Sequence, residues 1–273
     1  MKKIFKKVKF FRRLYNGYQA SHYFNYKYFQ ILKWMFVSNE DTNYTYALTE
    51  KNLDELSKLL EIIFPESSFK QNRKIIDEIV FDNELKKIIR NKLKTSNYRD
   101  FTDEKVQFSR RIGWYTIARI LKPKIIVETG VDKGMGALVL CRALQKNKEQ
   151  GFDGFYYGTE INMEAGYLFK GELAQFGEII YGDSIKILSE FRKKIDLFVN
   201  DSDHSADYEY REYLTIRAKL SKNAIILGDN SHVTDKLLKF SVDNNRNFTF
   251  FKETPKDHWY PGAGIGISYP KNK

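Results

Sequence analysis

The fold of this chain is decided by residues 124–136, which read Lys-Ile-Ile-Val-Glu-Thr-Gly-Val-Asp-Lys-Gly-Met-Gly. An apolar run of strand length passes directly into a loop that contains Gly130, Gly134 and Gly136, and a helical pattern follows over about 134–147. Glycine after a strand lets the backbone approach a ligand where a side chain would block it. The spacing differs from the G-x-G-x-x-G of dinucleotide-binding enzymes. The stretch therefore predicts a strand, a ligand-binding loop and a helix, with a tight packing turn as the alternative.

The same alternation of short apolar runs and helical patterns continues outward from this stretch. Strands are predicted at 124–128, 155–160, 178–181, 195–200, 223–228, 247–252 and 264–269. A helix at about 103–121 precedes them, and helical patterns fill the first five gaps, at 134–147, 164–176, 184–193, 207–220 and 233–242. This order is typical of a mostly parallel sheet covered on both faces, with ligands bound at the carboxyl ends of the strands. The loop Thr254–Ala263 joins the last two strands without a helix, so the last strand is predicted to be antiparallel.

Three regions differ in composition. Residues 1–48 are basic and aromatic, residues 49–102 are a helical cap region, and residues 103–273 are predicted to be the α/β catalytic domain. The net charge of the chain is +11, and residues 1–36 contain nine Lys or Arg residues and no Asp or Glu. The rest of the chain is therefore nearly neutral, which predicts no nucleic-acid partner because such a surface offers no broad site for phosphates.

The basic N-terminal arm has two interpretations. On a helical wheel an apolar and aromatic face forms, and most Lys and Arg residues lie on the other side; the face consists of Ile4, Val8, Phe11, Tyr15 and Tyr18. Such a helix can lie on an anionic membrane surface, or it can dock on the protein's own body or on a second subunit of a homo-oligomer. The single Cys141 and the lack of a ~20-residue apolar span predict a cytoplasmic protein. The first interpretation adds peripheral contact with the inner membrane face.

Acidic residues follow three successive predicted strands. Glu128 ends the first strand, Glu160 ends the second, and Asp183 follows the third. A carboxylate after the second strand can accept hydrogen bonds from both ribose hydroxyls of a nucleotide. One acid at a strand end is unremarkable, but three in succession indicate a nucleoside-binding edge.

The next two strands end in a different set of polar residues. The fourth ends in Asn-Asp-Ser-Asp-His at 200–204, and the fifth ends in Gly-Asp-Asn at 228–230. Asp201, Asp229 and Asn230 offer the oxygen ligands that Mg²⁺ prefers. Asp203 is a competing ligand, and a polar cluster that caps helices is the alternative to a metal site.

These motifs resemble those of class I S-adenosylmethionine-dependent methyltransferases, over roughly residues 105–273. The resemblance implies a Rossmann-like fold with a seven-stranded, mostly parallel sheet. It implies a cofactor site made by Glu128, Gly130, Gly136, Glu160 and Asp183. The loop departs from the commonest E-x-G-x-G-x-G pattern, since Asp132 stands where a glycine often does.

The fourth and fifth strand ends resemble those of metal-dependent O-methyltransferases of the catechol and macrocin types. That resemblance implies Asp201, Asp229 and Asn230 as Mg²⁺ ligands and His204, three residues after Asp201, as the general base. It also favours a small polar acceptor, a sugar or another glycan. The alternatives are a non-catalytic membrane- or partner-binding module that kept the fold, an NAD-dependent dehydrogenase and a nucleic-acid base methyltransferase. The glycine spacing disfavours the dehydrogenase, and the missing Pro-Pro-aromatic motif after the fourth strand disfavours the base methyltransferase.

Overall fold

The computed structural model of the protein describes residue 13 and residues 28–37, 46–97 and 105–271. The amphipathic helix predicted from residues 4–18 therefore lies outside the described ranges, apart from the single residue Arg13. Of the helices that the structure describes, none has the length and apolar character needed to traverse a lipid bilayer.

Four helices lie in the described ranges 28–37 and 46–97, and three of them fall in the stretch 49–102 for which the sequence predicts helices. They are α1 (Tyr28–Val37), α2 (Glu50–Ile63), α3 (Phe69–Val80) and α4 (Asn83–Lys94). The side chain of Thr49 caps α2, and Ser68 with Gln71 forms a capping box at the start of α3. Asp82 accepts a hydrogen bond from the backbone N–H of Leu85 and starts α4. The periodic apolar run of 75–93 is therefore divided into two helices. The Asp82 cap favours the start of the second helix because it pairs a backbone N–H that has no partner within that helix.

A seven-stranded sheet forms the centre of the chain, in the order β4-β3-β2-β5-β6-β9-β7. Its strands are β2 (Ile125–Thr129), β3 (Phe155–Glu160), β4 (Gly177–Tyr181), β5 (Ile195–Asn200), β6 (Leu220–Gly228), β7 (Arg246–Phe251) and β9 (Ile265–Pro270). The pairs from β4 to β6 are parallel, and β9 runs antiparallel to both β6 and β7. The predicted sheet and its antiparallel last strand are confirmed.

Helices cover both faces of this sheet and create two hydrophobic cores. They are α5 (Arg111–Leu121), α6 (Met135–Lys148), α7 (Ser184–Glu190), α8 (Ala206–Ile216) and α9 (Lys236–Asp243). Neighbouring residues of one strand enter opposite cores: Leu197 packs with α5 and α6, whereas Phe198 packs with α8 and α9. Because side chains alternate between the two faces of a strand, the central strands carry apolar residues on both faces.

Three parts of the chain differ from the sequence prediction. The helix expected at 103–121 begins only at Arg111. The helix expected at 164–176 is reduced to a 3₁₀ turn at Glu172–Phe176. Gly166 and Gly171 both adopt positive φ angles, of 75° and 80°, which interrupt a right-handed helix. A small antiparallel pair of β1 (Ala47–Leu48) and β8 (Pro255–Lys256) was not predicted, because strands of two residues leave no periodic pattern.

The helical cap region shares its core with the catalytic domain. Gly113 of α5 lies between α2 and β9, where an added Cβ would come within 3.8 Å of Leu56 and 2.5 Å of Ile265. Leu56 and Leu60 of α2 are completely buried in the same core as the strand residue Ile265. The absence of a side chain at residue 113 therefore leaves room for Ile265 of β9 against α5.

The packing of α2 can be tested by a pair of substitutions. Leu56→Ala should lower the free energy of unfolding by about 2–5 kcal/mol, because it leaves a cavity in the shared core. Ile62 lies on the same helix and is 62% exposed, so Ile62→Ala should change stability by no more than about 0.5 kcal/mol. Urea denaturation would measure both. Equal losses for the two variants would contradict this account of the core.

Candidate active site

The carboxyl ends of β2 to β5 border a cleft of about 470 Å³. This volume lies within the roughly 300–1,000 Å³ range of small-molecule sites. Six residues singled out from the sequence line the cleft: Gly130, Glu160, Asp183, Asp201, Asp203 and His204. They come from four different strand ends, so the parallel sheet brings together residues that are far apart in the sequence.

Gly130 is required where β2 passes into the loop. Its φ angle is +80°, and a Cβ at this position would overlap the backbone carbonyl of Asp201. The Gly130 N–H donates to the carbonyl oxygen of Thr159 at 2.9 Å, and Thr129 accepts from the Asp201 N–H at 2.9 Å. The glycine therefore allows the chain segments after β2 and β5 to cross at the edge of the cleft.

The carboxylate of Glu160 organises the loop that follows Gly130. It accepts from the backbone N–H of Asp132 at 2.9 Å and from that of Asn162 at 2.9 Å. Asp132 has a φ of +46°, a conformation that Asp adopts more readily than most residues, which explains how it stands where a glycine is common. Glu160 lines the cleft and remains partly exposed, so its oxygens can also accept from ligand hydroxyls.

Asp183 lines the cleft and also accepts hydrogen bonds from the protein. One carboxylate oxygen caps α7 by accepting from the backbone N–H of Lys186 at 2.8 Å. The other accepts from the hydroxyl of Tyr208 at 3.0 Å, and Tyr208 also lines the cleft. The acid is thus held at the cleft wall from two sides.

Glu128 and Gly136 are placed beneath the loop and do not line the cleft. Glu128 is 1% exposed and accepts from the Tyr156 hydroxyl at 2.5 Å. Burial raises the pKa of Glu128 to about 7, although the bond from Tyr156 acts in the opposite direction. A Cβ at Gly136 would overlap the Glu128 carboxylate. These two residues position the helix start against β2 and have no contact with the cleft itself.

Arg110 lies where the sequence predicted a metal ion, and sequence reasoning missed it. Its guanidinium pairs with Asp229 through Nε, and Nη2 is 3.7 Å from Oδ2 of Asp201. Burial lowers the pKa of Arg110, but Asp229 and Asp201 outweigh it and the net pKa is raised. Burial also raises the pKa of Asp201, and the neighbouring Asp229 raises it further. The only hint in the sequence was the Ser-Arg-Arg triplet at the start of α5, which places two cations there. No local pattern shows that α5 begins beside β5 and β6.

The predicted ligand set does not fit a divalent cation in this arrangement. Asp201 and Asp229 are both paired with Arg110, and Asn230 directs its side-chain oxygen at His204. Asp203 is exposed and accepts from the backbone N–H of Ser205 at 2.6 Å. Among the residues that the structure describes, no three His, Cys, Asp or Glu side chains are placed to hold a metal ion.

His204 contacts Asn230 through its ring nitrogen Nδ1 and the amide oxygen Oδ1. An amide oxygen can only accept, so Nδ1 carries the hydrogen and donates it. The other nitrogen, Nε2, is then unprotonated in the neutral ring and can accept a proton. The second nitrogen of a ring oriented in this way is a suitable base for an acceptor bound in the cleft.

A buried carboxylate beneath the cleft connects several of its walls. Glu212 of α8 is completely buried and accepts from the hydroxyls of Thr129 at 3.1 Å and Ser202 at 2.8 Å. It also accepts from Ser184 and from the amide of Asn200. The carboxylate therefore joins the ends of β2 and β5 to the start of α7. Sequence reasoning missed it because an acid within a helix usually faces solvent.

Residues 127–231 match the family described as a methyltransferase domain. This central part of the chain is therefore similar to a methyltransferase domain. The match begins in β2 and continues past the end of β6, so it includes every strand end that borders the cleft. No curated protein sequence matches the chain significantly.

Solved structures of methyltransferases resemble the chain in fold. One is an O-methyltransferase from Streptomyces achromogenes that is involved in tomaymycin synthesis and was solved in complex with SAM. It is 13% identical to this chain, the alignment covers 83% of this chain and 100% of that one, and the TM-score is 0.51. A second is a methyltransferase from Podospora anserina bound to SAH, with 18% identity, 85% and 100% coverage and a TM-score of 0.50. A third, from Geobacter sulfurreducens, has 17% identity, 67% and 89% coverage and a TM-score of 0.50. At these identities the likeness establishes a shared fold.

The sequence prediction of a class I S-adenosylmethionine-dependent methyltransferase is thus confirmed in fold and domain family. The methyltransferase domain places the residues predicted for the nucleoside, Glu160 and Asp183, in one cleft with Gly130. Glu128 and Gly136 lie outside that lining. The cofactor role of all five residues stays a prediction.

Replacing Glu160 should weaken cofactor binding to the methyltransferase domain. Glu160→Ala removes a charged hydrogen-bond acceptor. Because a hydrogen bond to a charged group contributes about 1.5–3 kcal/mol of binding free energy, the affinity for S-adenosylhomocysteine should fall about 10- to 100-fold. Titration calorimetry would measure it. Glu178 of the neighbouring strand β4 is exposed, so Glu178→Ala is the matched control and should bind as the wild type does. Unchanged affinity in a folded Glu160→Ala protein would remove the residue from the site.

Proposed function

We propose that this methyltransferase transfers the methyl group of S-adenosylmethionine to a hydroxyl of a small polar acceptor. The proposal rests on one observation: Glu160 and Asp183, which are suited to bind a nucleoside, line the same cleft as His204. One side of the cleft thus suits an adenosine group, and the other offers a base.

Gly130, Glu160 and Asp183 would hold the cofactor. Gly130 leaves backbone exposed to the cleft, and the two carboxylates offer acceptors for ribose hydroxyls and for an adenine amino group. When bound, S-adenosylmethionine supplies an electrophilic methyl group on a positively charged sulfur. The acid Asp201 lies in the same lining, between the loop after β2 and His204.

His204 would act as the general base. A hydroxyl oxygen that attacks the methyl carbon forms an O–C bond while the S–C bond breaks, and the hydroxyl proton has to leave the oxygen. Nε2 of His204 accepts that proton, and Asn230 holds the ring through Nδ1. The unprotonated nitrogen of a neutral imidazole is a common general base in proteins.

A sugar or glycoconjugate is the acceptor class that we propose. The loop Thr254–Ala263 carries Tyr260, which is half-buried and whose ring stands 5.7 Å from that of the buried Tyr46. Aromatic rings beside polar groups suit the apolar faces and hydroxyls of a sugar. The magnesium ion of the sequence prediction is left out of this mechanism, because Arg110 pairs with its two predicted carboxylate ligands.

A direct test is the transfer of a labelled methyl group to a panel of hydroxylated acceptors, with monosaccharides, sugar nucleotides and catechols as separate arms. Labelled product in the sugar arms supports the proposal in full. Transfer to catechols alone would keep the O-methyltransferase and reject the sugar. Cofactor binding without transfer to any acceptor would favour the non-catalytic binding module.

The role of His204 predicts a kinetic effect without loss of binding. His204→Gln should lower kcat about 10²- to 10⁴-fold, since positioned bases contribute that much, while the affinity for S-adenosylhomocysteine stays the same. His232 follows the neighbouring strand and contacts the carbonyl oxygen of Asp229, so His232→Gln is a matched control with near-normal kcat. Steady-state kinetics and calorimetry would separate the two effects. An unchanged kcat in His204→Gln would exclude this residue as the base.

We also propose that the N-terminal region touches an anionic membrane surface. Within the described part of this region, α1 contains no acidic residue and exposes large apolar side chains: Leu32 is 50% exposed, Met35 60%, Phe36 83% and Val37 69%. Trp34 points the other way, with its ring 4.3 Å from that of Trp259. The helix thus packs one side on the body and presents the other, next to a strongly basic segment, which suits an anionic interface.

Vesicle flotation tests this surface. The protein should float with phosphatidylserine-containing vesicles at low salt, less so at high salt because charge is screened, and Phe36→Asp should reduce the bound fraction severalfold. Val242 of α9 is also largely exposed, at 69%, so Val242→Asp controls for the loss of an apolar side chain elsewhere. Flotation unaffected by Phe36→Asp, or a dimer that this substitution dissociates in sedimentation, would support docking on a second subunit instead.

A further inference from the structure

Asp201 and Asp229, the carboxylates predicted to bind a metal ion, are paired with a positively charged side chain of the protein itself. Arg110 pairs with Asp229 through Nε and approaches Asp201 through Nη2 at 3.7 Å. The side chains involved are 13% exposed for Arg110, 12% for Asp201 and 5% for Asp229. A guanidinium shielded from water to this degree interacts strongly with its partners, so it is a fixed part of the site.

The backbone around Arg110 fixes this position. Arg110 directly precedes α5, and the N–H of Ser109 donates to the carbonyl oxygen of Tyr46 at 3.2 Å. The guanidinium also lies 6.0 Å from the ring of Trp114. These contacts, from before and after the residue, hold the side chain between the ends of β5 and β6.

From this geometry we infer that Arg110 takes the place of a divalent cation at the carboxyl ends of β5 and β6, where the acceptor would bind. The inference rests on the proposed O-methyltransferase function for its mechanism, though the charge arrangement stands by itself. Arg110 offsets part of the negative charge of Asp201 and Asp229, and its guanidinium retains further N–H groups that can donate to an acceptor oxygen. A donor there positions the oxygen and stabilises the negative charge that develops as His204 takes the proton.

A divalent cation is disfavoured at the same place for a physical reason. It would need the oxygens of Asp201 and Asp229 that now face the guanidinium, and it would stand beside a fixed positive charge. Repulsion between like charges a few ångströms apart is large in a site with little water. The removal of the Arg110 charge should therefore create a metal site that the wild type lacks.

Mn²⁺ binding followed by electron paramagnetic resonance tests this directly, without any turnover. Wild-type protein should show no saturable binding at about 1 mM Mn²⁺, the weak end of carboxylate sites. Arg110→Gln and Arg110→Met should bind Mn²⁺ at least about 10-fold more tightly, and adding Asp229→Asn to either should abolish the gain. Arg110→Lys, which keeps the charge, should resemble the wild type.

Arg111 is the matched control, since it is 8% exposed and also lies near Trp114. Arg111→Gln should not gain Mn²⁺ binding. Saturable binding by the wild type that Asp229→Asn removes would overturn the inference, as would the absence of any gain in both folded Arg110 variants. Either result is independent of whether an acceptor for the methyltransferase has been found. With an acceptor in hand, turnover by the wild type should persist after exhaustive chelation.

Discussion

The close crossing of two backbone segments at Gly130 and Asp201 is the constraint on which the rest of the site depends. Thr129 accepts from the N–H of Asp201, and the missing side chain at Gly130 leaves room for the Asp201 carbonyl. This crossing joins the carboxyl ends of β2 and β5, the two central strands, at one level. From there the loop turns to Glu160 on one side, and the Asp201 side chain turns to Arg110 on the other.

Charge is distributed unevenly around this crossing. Glu160 and Asp183 stand in an open cleft, where their carboxylates can meet water or a ligand. Glu128 and Glu212 are buried beneath it and are satisfied by protein hydroxyls and amides. Asp201 and Asp229 are also largely buried, and there the burial is offset by a guanidinium. Similar strand-end acids thus acquire different roles, because a carboxylate's chemistry depends on its solvent access and partners.

Much of the site could be predicted from residue order alone. Glu160 and Asp183 were identified because the ends of parallel strands meet at one edge, and His204 was identified by a family resemblance. The structure brings all three into one cleft. Glu128 was expected to face the same cleft, yet it lies under the loop against Tyr156. Its place at the last position but one of β2 does not tell which side of the sheet edge its side chain will take. The helix expected at 164–176 was wrong because Gly166 and Gly171 break it.

The order of strands and helices and the antiparallel last strand could be read from the sequence, since they follow from hydrophobic periodicity and loop length along the chain. The methyltransferase class was implied by the resemblance of the glycine loop and the strand-end acids to a known family. The group that stands between Asp201 and Asp229 depends on tertiary packing alone. Arg110 lies about ninety residues before the first of them, and its approach depends on how α5 packs against the sheet and the cap helices. Long-range packing leaves no local pattern, so a cation supplied by another part of the chain cannot be recognised from the carboxylates that it neutralises.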